Sequence, residues 1–179
     1  MQPPRSTFLV GMMGAGKSTI GRMLASAIGF TFIDADRELE ARSGVSIPTM
    51  FEIEGEAGFR RREAALLDEL SQRAGIVLAT GGGAVLDAET RQRLRERGLV
   101  IYLRASADEV FRRTRRDKSR PLLQTGNPRE RIEQLIAERE PLYAEVAHLT
   151  FQSAASNPRR LVERLAAHPD IQALVAAPK

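Results

Sequence analysis

Short apolar runs alternate along this chain with longer stretches in which apolar residues recur every three to four positions. Phe8-Leu9-Val10, Thr31-Phe32-Ile33, Ile76-Val77-Leu78-Ala79, Leu99 to Leu103 and Leu149-Thr150-Phe151 have the length of buried strands. Ile20, Met23, Leu24, Ala27 and Ile28 keep a helical period after the first run and predict a helix ending near Gly29. Arg37 to Arg42 reads as helix and stops at Gly44, and Ser46 to Glu54 reads as a short helix with Met50 and Phe51 as apolar anchors. Gly55 breaks it, and Phe59, Leu66, Leu67 and Leu70 mark one face of a longer helix. Further helices are expected over Ala88–Arg97, after a capping box at Ser106 to Glu109, over Pro128 to Val146, and after the Asn157-Pro158 pair. Arg115 to Asn127 has no apolar period and reads as a mobile loop. For the tail after His168-Pro169 two alternatives stand, a short docked helix or a disordered segment.

Five strands alternating with helices imply an α/β fold, a parallel sheet covered on both faces. No internal repeat or Pro/Gly/Ser-rich linker divides residues 1–179, so a single domain is expected. In such sheets ligands bind at the carboxyl ends of the strands. Three groups of residues fall there: the turn after Val10, the pair Asp34 and Asp36, and Gly81-Gly82-Gly83.

Composition narrows the chemistry. Hydrophobic residues at 42% and charged residues at 28% are ordinary for a soluble globular protein. The absence of cysteine excludes disulfides and cysteine–metal sites, and two histidines argue against a histidine metal centre. No signal peptide or membrane span is read, so a cytoplasmic protein is expected, with ATP at hand. The net charge is +4, and 24 of the 27 basic residues are arginine, whose planar fork suits phosphate and carboxylate. The basic balance admits nucleic acid as a partner. Tryptophan is absent, however, aromatics are 5%, and the arginines sit among glutamates as solvated helix faces do. Small-molecule partners are expected, without nucleic acid or membrane, and so is a monomer.

The turn after the first strand is Gly11-Met12-Met13-Gly14-Ala15-Gly16-Lys17-Ser18-Thr19. Its spacing and its strand–turn–helix setting are those of a phosphate-binding P-loop. Glycines let successive N–H groups converge on phosphate, and the following helix adds free N–H groups and its positive dipole end. Lys17 has the reach for the β/γ-phosphates, and Ser18 offers a hydroxyl to Mg²⁺.

Asp34 and Asp36 point the same way if the strand persists and diverge if a helix begins there. Beside a P-loop a carboxylate holds Mg²⁺, usually through water, or orients a hydroxyl nucleophile; either aspartate is equally a candidate helix cap. Three glycines in a row at 81–83 suggest close backbone approach to a ligand, against a merely flexible turn. In Phe59-Arg60-Arg61-Arg62-Glu63 the three arginines span about 200° of helical wheel, so at most part of the run faces one ligand. Arg120 lies in the loop without period, where it could close over a transferred phosphoryl group or stay exposed. Arg139 precedes Pro141-Leu142-Tyr143 on a helix and by itself reads as structural.

Taken in this order from Phe8 to about Leu165, the chain resembles the shikimate kinases. The matching segments are Gly11–Thr19, Asp34-Ala35-Asp36, Gly55-Glu56 through Phe59-Arg60-Arg61, Gly81 to Val85, Arg120 to Leu123, and Arg139 with Pro141-Leu142-Tyr143. The resemblance implies a nucleoside-monophosphate-kinase-like P-loop fold, a five-stranded parallel sheet flanked by helices with a mobile lid at about 115–127. It implies transfer of the ATP γ-phosphoryl group to the 3-hydroxyl of shikimate. Carried over by position, Lys17, Asp36 and Arg120 are the catalytic set, with Asp36 as candidate base. Gly14, Ala15, Gly16, Lys17, Ser18, Thr19, Arg113 and Arg120 are expected to bind ATP, Arg113 flanking adenine. Asp36, Arg60, Gly82 and Arg139 are expected to bind shikimate, the two arginines taking its carboxylate. Ser18 is the expected Mg²⁺ ligand, with Asp34 acting through water. Near Ser153–Asn157 some relatives carry a basic residue where Ser156 stands here. A gluconate-type sugar-acid kinase, a non-catalytic ATP-binding domain and a nucleic-acid-binding NTPase are the competing readings.

Overall fold

The computed structural model describes residues 5–153 and 157–177. Strands β1 (Thr7–Val10), β2 (Thr31–Asp34), β3 (Ile76–Ala79), β4 (Leu99–Arg104) and β5 (Leu149–Gln152) form one sheet in the order β2-β3-β1-β4-β5. Every pairing is parallel, with Leu9 of β1 opposite Ala79 on one side and Ile101 on the other. β1 and β3 are buried along their whole length, which explains their continuous apolar runs, whereas the edge strand β5 alternates half-buried and exposed residues.

The helices are α1 (Lys17–Ile28), α2 (Ala35–Ser43), α3 (Ile47–Leu70), α4 (Ala88–Arg97), α5 (Ala107–Thr114), α6 (Pro128–Val146), α7 (Pro158–Ala166) and α8 (Pro169–Ala176). α1 packs on α7 and against β3, α4 packs on α3 and α6, and α6 packs on α5. The fold class is the expected one. Most ends fall where the local signals put them, because the signals are caps. Asp87 caps α4, Ser106 and Glu109 close the capping box of α5, and Asn127 and Asn157 cap α6 and α7 ahead of their prolines.

The break at Gly55 is real: the helical stretches before and after it, both counted in α3, meet at a kink where Gly55 takes the non-helical φ 70°, ψ 178°, a backbone region that only glycine adopts readily. The stretch 115–127 carries one helical turn, Pro121–Leu123, whose Leu123 is buried. Of the two alternatives for the tail, the docked helix is the one observed. α8 buries Ile171 and Leu174, and His168 caps it by accepting from Asp170 N–H. The disordered alternative for 168–179 is thereby corrected over Pro169–Ala176, because two leucine-sized side chains find a place in the core. Ser156 lies outside the described residues.

Candidate active site

The P-loop takes positive φ at Gly11 (144°), Gly14 (74°) and Gly16 (92°). Gly16 begins α1 with no side-chain cap, and no acidic residue sits in the first turn. Each other α-helix among the described residues starts on a side-chain cap. The N–H groups of α1 are therefore left for an anion. The carbonyls of the loop are turned away and held. Lys17 Nζ donates to Gly11 O at 2.7 Å and to Met12 O at 2.8 Å. Arg113 Nη1, from α5, donates to Gly14 O at 2.8 Å. The Ser153 hydroxyl, at the end of β5, donates to Ala15 O. Burial lowers the Lys17 ammonium to about 8, helped by Arg120 and Arg139 and opposed by Asp36 and Asp34.

A helix does begin after β2, so the two aspartates diverge. Asp34 caps α2, its Oδ1 accepting from Asp36 N–H at 3.1 Å and Arg37 N–H at 3.2 Å. Its Oδ2 accepts from the Ser18 hydroxyl at 2.5 Å. Cap and P-loop partner are thus the same residue. Ser18 Oγ and Asp34 Oδ2 form an all-oxygen pair at the mouth of the P-loop, the donor type that suits Mg²⁺. Asp36, in the first turn of α2, faces the cleft instead. Burial raises its pKa, as does the charge of Asp34, while Lys17, Arg120 and Arg60 pull it back.

Two open spaces meet at Met13, Asp36, Gly82, Ser119 and Arg120. The larger, about 1180 Å³, runs along the P-loop past Gly14, Gly16, Lys17, Ser18, Thr19 and Asp34. The smaller, about 470 Å³, is walled by Phe51, Phe59, Arg60, Glu63, Gly81–Gly83 and Arg139. Of the three consecutive arginines on α3, Arg60 faces this space, Arg61 is exposed, and Arg62 pairs outside with Glu54 at 2.5 Å. Arg60 Nη1 donates to Glu63 Oε1 at 2.8 Å. Arg139 is only 2% exposed, and its Nε and Nη1 are buried with no hydrogen-bond partner among the described residues. A buried guanidinium in that condition is costly unless an anion arrives. Arg120 bridges the two spaces from the 115–127 segment, with Nε on Asp117 Oδ2 at 3.0 Å.

The structure thus brings Lys17, Ser18, Asp34, Asp36, Arg60, Gly82, Arg120 and Arg139 to the two adjoining spaces, while Arg61 and Arg62 stay outside. Arg113 stands at the outer edge of the P-loop and Thr19 at its exposed end. Two neighbours were missed. Glu63 is buried beside Arg60, and burial raises its pKa. Tyr143, fully buried, donates to Gly82 O and stacks on Tyr102 at 5.0 Å between centroids. A signal for them existed. Glu63 falls on the inward stripe Phe59, Leu66, Leu67 and Leu70 of α3. Arg139 and Tyr143 fall on the stripe Ile132, Leu135 and Val146 of α6. A charged residue in an apolar stripe marks a buried polar site.

Comparison with known proteins agrees with this geometry. The shikimate kinase family model matches residues 13–168. A shikimate kinase of Bordetella pertussis is 63% identical over 166 residues, covering 93% of this chain and 78% of the relative. One of Nitrosospira multiformis is 58% identical over 159 residues, 89% of this chain and 82% of the relative. The solved structure of an Acinetobacter baumannii shikimate kinase in complex with shikimate superposes with a TM-score of 0.88 at 47% identity, covering 90% of both chains. With a P-loop opening onto a carboxylate-and-arginine cleft, and with relatives of this similarity over most of its length, the chain belongs to the shikimate kinase family.

Proposed function

We propose that this protein transfers the γ-phosphoryl group of ATP to the 3-hydroxyl of shikimate, giving shikimate 3-phosphate and ADP on the route to aromatic amino acids. The observation that carries the reading is Arg139. Its Nε and Nη1, buried and without a hydrogen-bond partner among the described residues, line a small cleft shared with Arg60 and Asp36, and that cleft opens onto the P-loop. A small polyol acid matches it: arginines for the carboxylate, an aspartate for the hydroxyls.

In this reading Arg60 and Arg139 take the shikimate carboxylate and the Gly82 backbone adds a contact. Asp36 binds the hydroxyls and orients the attacking one. As the 3-hydroxyl oxygen bonds to the γ-phosphorus, the bond from that phosphorus to the bridging oxygen of ADP breaks, and the hydroxyl proton passes to the Asp36 carboxylate. Its raised pKa makes Asp36 a better proton acceptor than a free aspartate. The N–H groups from Gly14 to Thr19 cradle the phosphates. Lys17 leaves the Gly11 and Met12 carbonyls to follow the transferred group, and Arg120 covers it from the lid at 115–127. Closure of that lid excludes water. Arg113 flanks the adenine. Ser18 would hold Mg²⁺ and Asp34 would act on it through water, and the ion would supply neutralisation of the phosphate charge. The protein works as a single-domain cytoplasmic monomer on small molecules, without nucleic acid or membrane; no helix among the described residues is long and apolar enough to cross a membrane.

Coupled ADP release with shikimate, quinate and gluconate in parallel tests the reading. Turnover should be confined to shikimate or strongly favour it. Preference for gluconate would return the chain to the sugar-acid kinases, and no turnover would leave a non-catalytic ATP-binding domain.

A further inference from the structure

Gly82 approaches the cleft as a ligand-facing glycine should, but Gly83 has a different neighbour. Gly83 stands at φ −96°, ψ 5°, open to any L-residue, so backbone freedom does not explain a glycine there. Space does. A Cβ at this position would lie 2.3 Å from Arg60 Nη2 and 2.4 Å from both Arg60 Cζ and Nη1. The forked end of the guanidinium fills the volume that a methyl group would need. The fork is held from its other sides by Glu63 Oε1 at 2.8 Å and Glu56 Oε1 at 3.5 Å, and Cζ lies 5.1 Å from the centroid of the Phe59 ring. Glu63 in turn leans on the neighbouring glycine, since a Cβ at Gly81 would lie 2.4 Å from its Oε2.

We propose that Gly83 is a positioning residue for substrate recognition: its bare Cα face is the seat on which Arg60 is held, beside Arg139, to receive the substrate carboxylate. The inference rests on the shikimate reading above for the identity of that carboxylate. It also says what a side chain at position 83 does. The clash falls on the far end of a flexible side chain and not on backbone. Behind Arg60 and Glu63 lies a space open to solvent, walled by Leu67, Gly83, Leu86 and Thr90, toward which the displaced guanidinium can turn. The fold therefore survives, while the carboxylate loses one of its two charged partners.

The test is a double-mutant cycle of wild type, Gly83→Ala, Arg60→Ala and the double variant, read by steady-state kinetics and thermal unfolding. In Gly83→Ala the KM for shikimate should rise about ten- to one-hundred-fold, the worth of one charge-assisted hydrogen bond. The KM for MgATP and the unfolding midpoint should stay put, and kcat at saturating shikimate should largely survive. In the Arg60→Ala background the same change should add nothing, because the two residues act as one unit. An unchanged KM in the single variant overturns the proposal, and so does an equal penalty with and without Arg60. A Gly83→Ala protein that fails to fold overturns it as well. A ligand-free crystal structure of Gly83→Ala gives a reading independent of the substrate: Arg60 should be turned away from the cleft. Arg60 unmoved there sinks this proposal alone, whereas a wild type silent toward shikimate sinks the functional reading alone.

Discussion

Stability and affinity should move in opposite directions when Arg139 is replaced by methionine. Arg139 is 2% exposed, with Nε and Nη1 buried and unpartnered among the described residues. An unsatisfied buried polar group costs roughly 1–3 kcal/mol, and more when charged. Methionine keeps an unbranched stem as far as the Nε position while removing the guanidinium charge and the orphaned donors. The ligand-free Arg139→Met protein should therefore be more stable by about 1–3 kcal/mol. For a chain of this size that is roughly 2–12 °C in unfolding midpoint. Affinity for shikimate should fall by about tenfold to over one-hundredfold, because a hydrogen bond to a charged partner contributes roughly 1.5–3 kcal/mol. Thermal unfolding against rising shikimate concentration reads both effects. Wild type should gain about 2.7 kcal/mol when shikimate reaches one hundred times its Kd, and the variant about 1.4 kcal/mol or less at the same concentration, so the gap between them should close by about 1.3 kcal/mol or more. A ligand-free variant less stable than wild type, still stabilised by shikimate to the same degree, would refute the assignment of Arg139 as a poised anion receptor.

Asp36→Asn removes the proton acceptor and places an NH₂ donor where hydroxyl hydrogens should point. Steady-state kinetics should show kcat reduced by about 10²–10⁴ if Asp36 is the base; a loss confined to shikimate affinity would limit it to holding the hydroxyls, and wild-type constants would leave it a helix residue only. Burial puts the Lys17 ammonium at about 8 instead of 10.5, so in the ligand-free protein its charge is lost as pH rises through about 8. Calorimetry should then find MgADP affinity level below that pH and weakening by up to about tenfold per pH unit above it. The break should vanish in Lys17→Ala, and its persistence there would assign it to another group. Residues 115–127 should become protected from hydrogen exchange when both substrates bind; the same exchange in all four ligand states would remove the lid assignment.

Much of this protein was decided within a few residues of chain. The limits of α4 and α6 fall where Asp87, Asn127 and Pro128 set them, because a cap is a bond between neighbours. The P-loop is legible for the same reason: its glycines, its lysine and the helix that follows are contiguous. Other features depended on who stands opposite. Asp34, Arg104 and Gln152 each extend a strand one residue past its apolar run because a partner strand is there to pair with, Asp34 opposite Ala79 and Arg104 opposite Gln152. The sheet order, which places β1 between β3 and β4, is likewise a matter of long-range pairing. Asp34 reads from the sequence as a candidate cap and as a candidate carboxylate beside the P-loop; it caps α2 with one oxygen and meets the Ser18 hydroxyl with the other, partners that belong to different elements. Which of Arg60, Arg61 and Arg62 turns inward was beyond the helical wheel, since the wheel gives relative phase and not the direction of the cleft. Gly83 acquired meaning only when α3 and the turn after β3 came together, because a volume excluded to a side chain is a property of two segments that the linear sequence keeps about twenty residues apart.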